Sequence, residues 1–197
     1  MLNIGVLVSG GGTNLQAIID GTKFGGIKGD VKVVISNKED AYALERAKHN
    51  NIEAVYETDE DRVVQILKSH KVDLVVLAGY LKIISPKFVE AFRNKIINIH
   101  PSLIPSFCGE GYYGKKVHQA VIDYGVKITG ATVHFVDEKA DNGPIIMQQT
   151  VGVSHNDDAE SVAKKVLDVE HKILNESIKL FCENKLSIQG RRVFINE

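Results

Sequence analysis

The sequence predicts an α/β fold: a mostly parallel twisted sheet with helices on both faces, then an antiparallel strand pair and a long helix towards the carboxyl terminus. Three observations predict it. Apolar runs of strand length recur at Leu2–Val8, Val31–Ser36, Ile52–Tyr56, Asp73–Tyr80 and Ile96–Ile99, and the segments between them carry apolar residues at helical spacing, the alternation that builds parallel sheets. A glycine loop, Ser9-Gly10-Gly11-Gly12, joins the first run directly to a helix. Late in the chain, the alternating stretches TGATVHFV and PIIMQQTVGV flank the short turn DEKADNG, and a long amphipathic pattern follows. A connection that short makes antiparallel neighbours, so the sheet becomes mixed there. Residues 1–100 therefore read as a Rossmann-like half and 101–197 as a mixed half of one domain, a size suited to a single core.

Each element has a local reason. The first helix starts near Asn14, and Asp40 is placed to cap a second with Ala43, Leu44 and Ala47 on its inner face. After Thr58 a third helix runs through Val63, Ile66 and Leu67. DLVVLAGY is apolar throughout, as in a strand buried on both faces. Ser85-Pro86 opens a short helix with proline at the first helical position. Residues 102–116, with Pro105, Gly109, Gly111 and Gly114, read as a long loop before a helix through Val117–Ile122. Asp157 and Glu160 are spaced like a capping box for the long helix, whose inner positions include Val162, Val166, Val169 and Ile173. The tail LSIQGRRVFI reads as a hairpin.

Composition removes several functions. The formal charge is -1, with no basic block longer than Lys115-Lys116 or Arg191-Arg192, which argues against nucleic acid as a main partner. Cys108 and Cys182 are too few for a disulfide framework or zinc knuckle and point to a reducing compartment. The start, MLNIGVLVSGGG, resembles neither a signal peptide nor a membrane span, so the expectation is a cytoplasmic protein beginning at Met1 with no membrane partner.

The chemistry concentrates in KIINIHPSLIP, where Asn98 and His100 interrupt an apolar strand just before two prolines. Residues two apart share a strand face, and in open α/β sheets ligands sit at the strands' carboxyl edge. An amide and an imidazole there suit the holding of a negative oxygen in a transition state. Asp141, in the late turn, can accept from one nitrogen of His100 and favour the imidazolium, leaving the other nitrogen for the reacting oxygen. The glycine loop favours an anion at the helix start. It is not a dinucleotide fingerprint, because Leu15 stands where the third glycine belongs and Ser36-Asn37 offers no acid to a ribose; nor is it a P-loop, since Thr13 and Asn14 follow Gly12. A single phosphate fits better. A hydrolase using Ser102 lacks the GxSxG elbow. A metal on His100, His118 and His134 lacks HExxH or paired-cysteine spacing, so none is expected. Cys108 has no basic neighbour to favour its thiolate. By residue type alone Glu170 and His171 belong on the wet face of the long helix.

In order from residue 2 to beyond 170, VLVSGGGTNLQAII, ISNKEDAYALERA, VVLAGYLKIISP, NIHPSLIPSF, TGATVHFVDEKADNGPIIMQ and VEHKIL resemble the folate-dependent formyltransferase family. SGGGTNLQ is similar to the members that formylate glycinamide ribonucleotide. The resemblance implies formyl transfer from 10-formyltetrahydrofolate to that acceptor's amine in purine biosynthesis, without a metal. It implies Asn98, His100 and Asp141 as the catalytic three, with Asp141 keeping His100 charged. Gly12, Thr13 and Asn14 match the segment that holds the acceptor's phosphate, and Glu170 the acid on its ribose hydroxyls. Leu81, Lys82, Ile83 and Ile84, with the Asp137–Asp141 loop and Asn98, match the folate pocket. Lys82 stands where the family usually has arginine, the segment between Tyr56 and Arg62 is shorter than usual, and CGEGYYG after Phe107 departs from the common bacterial pattern. The sequence leaves open whether an arginine of that segment reaches the folate, what the 108–114 loop and His118 do, which folate tail length is preferred, and whether the chain is a monomer or dimer. The alternatives are a related formyltransferase, of which the methionyl-tRNA enzyme would be expected to carry a further basic domain and the deformylase an amino-terminal regulatory one, or a non-catalytic phosphate-binding module.

Overall fold

The computed structural model describes residues 1–196. In chain order the elements are β1 (Leu2–Val8), α1 (Thr13–Lys23), β2 (Gly29–Ser36), α2 (Tyr42–His49), β3 (Glu53–Tyr56), α3 (Glu60–Ser69), β4 (Leu74–Leu77), α4 (Pro86–Ala91), β5 (Ile96–His100), α5 (Lys115–Tyr124), β6 (Ile128–Phe135), β7 (Ile145–Gly152), α6 (Ala159–Cys182), β8 (Leu186–Gln189) and β9 (Arg192–Ile195). They form one sheet in the order β3-β2-β1-β4-β5-β6-β7-β9-β8. Strands β1 to β5 pair in parallel. β6 runs antiparallel to both β5 and β7, and the tail hairpin adds β9 alongside β7.

One face carries Leu15, Ile18 and Ile19 of α1, Ala43 and Ala47 of α2, Val121 of α5 and Val162, Val166 and Ile173 of α6. The opposite face carries Val63 and Leu67 of α3 with Phe88 and Val89 of α4. β1 lies between β2 and β4, so the connections leaving it and β4 run to opposite sides. That switch point opens a crevice at the strands' carboxyl ends, between the glycine loop and residues 79–84.

The helix starts test the local readings. Ser85 caps α4 by accepting from the Phe88 amide, with Pro86 following as expected. Asp40 does not cap α2. Ala41 stands at that position without a side-chain bond, and the Ala43 amide donates instead to the Gly10 carbonyl (3.0 Å), so the glycine loop satisfies a donor that a side chain otherwise would. On α6 the capping box lies one residue later than the spacing suggested, between Asp158 and Ser161. Asp157 is drawn off by the Ser154 amide (2.7 Å) and the Lys165 ammonium (2.6 Å).

Two of the glycines fixed by space bear on the site. Gly12 has φ 72°, and a Cβ there would lie 2.6 Å from that of Ala43, so α1 and α2 meet only across a bare backbone. A Cβ on Gly143 would lie 1.8 Å from the Phe135 carbonyl oxygen, which lets the turn before β7 fold flat against the end of β6 and delivers Asp141 to the sheet edge.

Candidate active site

A cleft of about 580 Å³ opens at this edge. Thr13, Asn14 and Glu170 line one side, residues 81–84 and 137–141 another, and Asn98 and His100 the floor between them. Of the catalytic and binding residues that the resemblance implied, Gly12 alone stands back from the lining, forming the N-cap of α1.

The floor follows from strand register. In β5, Asn98 pairs with Leu77 of β4 on one side and His134 of β6 on the other, and His100 pairs with Thr132. Asn98 and His100 both face the cleft. Asp141 arrives from the turn with φ 49°, a left-handed conformation that Asp tolerates better than most residues. Its Oδ1 accepts from Asn98 Nδ2 (3.3 Å) and its Oδ2 from the Gly109 amide (2.9 Å), while His100 Nδ1 lies 3.4 Å from Oδ2. The turn is braced by Asn142 Nδ2 donating to Asp137 (2.6 Å) and by Arg191 donating to the Asn142 carbonyl (2.7 Å). Burial pushes the Asp141 carboxyl upward, but His134, His100 and the Gly109 amide together bring it below 3.8, so it is ionised at neutral pH.

Two expectations about His100 change. Its second nitrogen is not free, since Nε2 donates to the Phe107 carbonyl (2.9 Å). Nor does Asp141 alone govern its proton: burial draws the ring's pKa down from the ordinary imidazole value, against the opposing pull of Asp141 and the Phe107 carbonyl. Both nitrogens nevertheless face acceptors. A neutral imidazole has one N–H, so this surrounding suits a second proton that burial alone refuses.

His134 is satisfied within its strand: Nδ1 donates to the Phe135 carbonyl (2.7 Å) and Nε2 accepts from Asn98 Nδ2 (3.1 Å). That second bond orients the Asn98 amide. The signal for it was the cross-strand pairing, which the sequence alone does not give. The Phe107 carbonyl and Gly109 amide are backbone groups and left no mark in residue types. Ser102 is fully buried and its hydroxyl donates to the Ser106 carbonyl (2.6 Å), so it serves the loop and is no nucleophile.

On one side of the cleft, α1 begins with no side-chain cap and no acidic residue in its first turn, leaving amides and the positive end of the helix dipole for an anion. Asn14 Nδ2 donates to Glu170 Oε2 (2.7 Å). Glu170 is only 8% exposed, against the wet-face reading, and burial pushes its carboxyl up to about 7 even with that bond. On the other side Leu81 and Ile83 are 49% and 64% exposed and Ile84 is buried. Lys82 turns away, its Nζ donating to the Thr58 carbonyl (2.8 Å). Arg62 lies outside the cleft lining, 3.9 Å from Glu57. His118 lines the cleft and is buried. Among the described residues, no group of three or more His, Cys, Asp or Glu could hold a metal ion, and no helix is long and apolar enough to cross a membrane.

A parallel sheet with a phosphate-type helix start, an Asn-His-Asp floor and an apolar rim defines a group-transfer site. Residues 2–178 match the formyl transferase family, and the chain belongs to it. Its relatives include phosphoribosylglycinamide formyltransferases. That of Haemophilus influenzae is 42% identical, with all of this chain and 94% of the relative covered. The chloroplastic one of Vigna unguiculata is 42% identical over 93% of this chain, which spans 62% of that protein's length. The crystal structure of glycinamide ribonucleotide transformylase 1 from Symbiobacterium toebii superimposes with a TM-score of 0.95 at 43% identity, covering all of this chain and 95% of that one.

Proposed function

We propose that the chain transfers the formyl group of 10-formyltetrahydrofolate to the amine of glycinamide ribonucleotide, giving formylglycinamide ribonucleotide and tetrahydrofolate in cytoplasmic purine biosynthesis, its two halves acting as one domain. The observation that carries this reading is the convergence of Asn98, His100 and Asp141 on the floor of a cleft with an anion-ready helix start on one side and an apolar rim on the other. Membership of the family supports it.

The acceptor phosphate binds at Gly12, Thr13 and Asn14, and Glu170 receives the ribose hydroxyls. The pterin ring covers residues 81–84 against the 137–141 loop. The neutral amine attacks the formyl carbon, and the carbonyl oxygen becomes an alkoxide. Asn98 Nδ2 donates to it, giving up its longer bond to Asp141 Oδ1 (3.3 Å) while keeping the one to His134. So does His100, exchanging its bond to the Phe107 carbonyl for one to the alkoxide. The new negative charge raises the proton affinity of the ring, and with Asp141 already beside Nδ1 the ring becomes the imidazolium by taking up the proton that the attacking amine nitrogen sheds. The amine's proton then passes to the folate nitrogen as the carbon–nitrogen bond to folate breaks, with Asp141 and His100 as the groups able to carry it.

The test is to mix the protein with 10-formyltetrahydrofolate, with and without glycinamide ribonucleotide, and follow folate absorbance and product mass. Acceptor-dependent tetrahydrofolate and a formylated nucleotide are expected. Acceptor-independent release of formate would mark a deformylase, and binding without turnover a non-catalytic module.

A further inference from the structure

His118 has no part in the scheme above, yet its surroundings are unusual for a packing residue. It lies on α5 between Val117 and Val121, both fully buried and apolar. His118 is itself only 5% exposed, and its Nδ1 is wholly buried with no hydrogen-bond partner among the described residues. Leaving a polar atom unpaired in the interior destabilises a fold, so a side chain that merely filled this space would serve better as an apolar one.

Nδ1 is closed off from any ligand, so the ring that bears this cost is kept for its other nitrogen, Nε2, on the side that lines the cleft. His118 lines the same cleft as Asn14, Glu170 and His100. α5 packs against α6, the helix that carries Glu170. Burial, and then the nearby His100, hold the ring's pKa below 6.5, so near pH 7 it presents one N–H and one lone pair. It thus adjoins both the ribose seat and the reacting floor.

We infer that His118 is a substrate-contacting residue that hydrogen-bonds the glycinamide arm of the acceptor on its path from the ribose to the formyl carbon. This rests on the acceptor assigned above. The arm carries an amide with one donor and one acceptor, and a neutral imidazole can match either. Neutrality also matters for the nucleophile. A carboxylate in this place would hold the amine as an unreactive ammonium, whereas an uncharged ring orients the arm and leaves the amine free to lose its proton.

The experiment compares calorimetric binding of glycinamide ribonucleotide and of ribose 5-phosphate, which lacks the arm, to the full wild-type chain and to His118→Phe and His118→Ala. For both variants the arm-bearing ligand should bind about 10-fold more weakly, the worth of one neutral hydrogen bond, with ribose 5-phosphate affinity unchanged. His118→Phe should melt no lower than wild type, because it removes an unpaired polar atom. Equal losses for both ligands, or none for either, would overturn the inference, and if His118→Phe does not fold then His118→Ala decides on the same terms. A wild-type chain that binds the two ligands alike would overturn the acceptor assignment and this inference with it; variants indifferent to the arm in a wild-type background that favours it overturn this inference alone.

Discussion

The two walls of the cleft are built on opposite principles. The wall assigned to the acceptor is buried, polar and wired before any ligand arrives: Asn14 is bonded to Glu170 at 2.7 Å, across 156 residues of chain. The wall assigned to folate is apolar and half open, with Leu81 and Ile83 exposed over a backbone tied down by the Leu81 amide to Ser9 (2.8 Å) and the Ser85 amide to Glu60 (2.7 Å). The difference teaches what each recognition task demands. A polar group must be held in place in advance, because reorienting or orphaning it in a dry site costs more than the bond returns. An apolar surface needs only area and can wait uncovered until a flat ring excludes water from it. The floor follows the first principle, with Asn98 held by His134 and Asp141 at once.

The sharpest way to break this contrast is at the floor. His100→Ala removes a donor to the alkoxide and should lower kcat by about 100- to 1000-fold, as losing one such donor typically does. Asp141→Asn should approach the same loss, since the amide cannot stabilise the imidazolium. Steady-state kinetics with circular dichroism checks both. Near-normal turnover in either folded variant would mean that the floor is wired for structure alone.

A second test asks whether the acceptor wall is held together at a cost. The Glu170 carboxyl has its pKa raised from 4.5 to about 7. Below pH 4.5 it is protonated both folded and unfolded; between 4.5 and 7 the unfolded chain releases its proton first, so the folded state loses stability as pH rises. Above 7 the penalty is complete, about 3 kcal/mol at roughly 1.4 kcal/mol per pKa unit. Glu170→Gln removes the ionisation. Its Tm should therefore match wild type near pH 4.5 and exceed it at pH 8, while its acceptor affinity at pH 8 falls roughly 10- to 100-fold, the usual worth of hydrogen bonds to a charged group. A Tm gain at pH 8 without loss of affinity would place the ribose elsewhere.

The same contrast explains what was legible in the sequence. Strands β1 to β5, the Ser85-Pro86 helix start and the tail hairpin are local matters, in which apolar run length, cap chemistry and turn residues decide, and all appear where those rules put them. The polarity of Asn98 and His100 within an apolar strand marked the floor because such residues are out of place there unless used. What escaped is non-local. Asp40 loses its cap to the Gly10 carbonyl, a group from another strand's loop. Glu170 on an amphipathic helix reads as solvated until α1 is packed against it. The charge of His100 depends on burial, which one-dimensional spacing does not carry, and the Phe107 carbonyl that occupies its Nε2 is anonymous in sequence.

The smallest effects belong to the open wall, and there two neighbours should behave differently. Ile83 presents its side chain at the rim. If the pterin covers it, Ile83→Ser should raise KM for folate roughly 5- to 10-fold, a part of the ~1.5–3 kcal/mol that a fully buried aliphatic side chain contributes. Lys82 is the adjacent residue and the charged one, so electrostatic recognition of the folate would predict the larger loss on its removal. Its ammonium, however, donates to the Thr58 carbonyl away from the ring's path. An exposed bond of that kind is worth within about 0.5 kcal/mol, so Lys82→Ala should change the folate KM by less than about 3-fold, measured at fixed saturating acceptor. A loss at Lys82 that exceeds the loss at Ile83 would make charge, and not apolar area, the principle of this wall, and the two sides of the cleft would then be built alike.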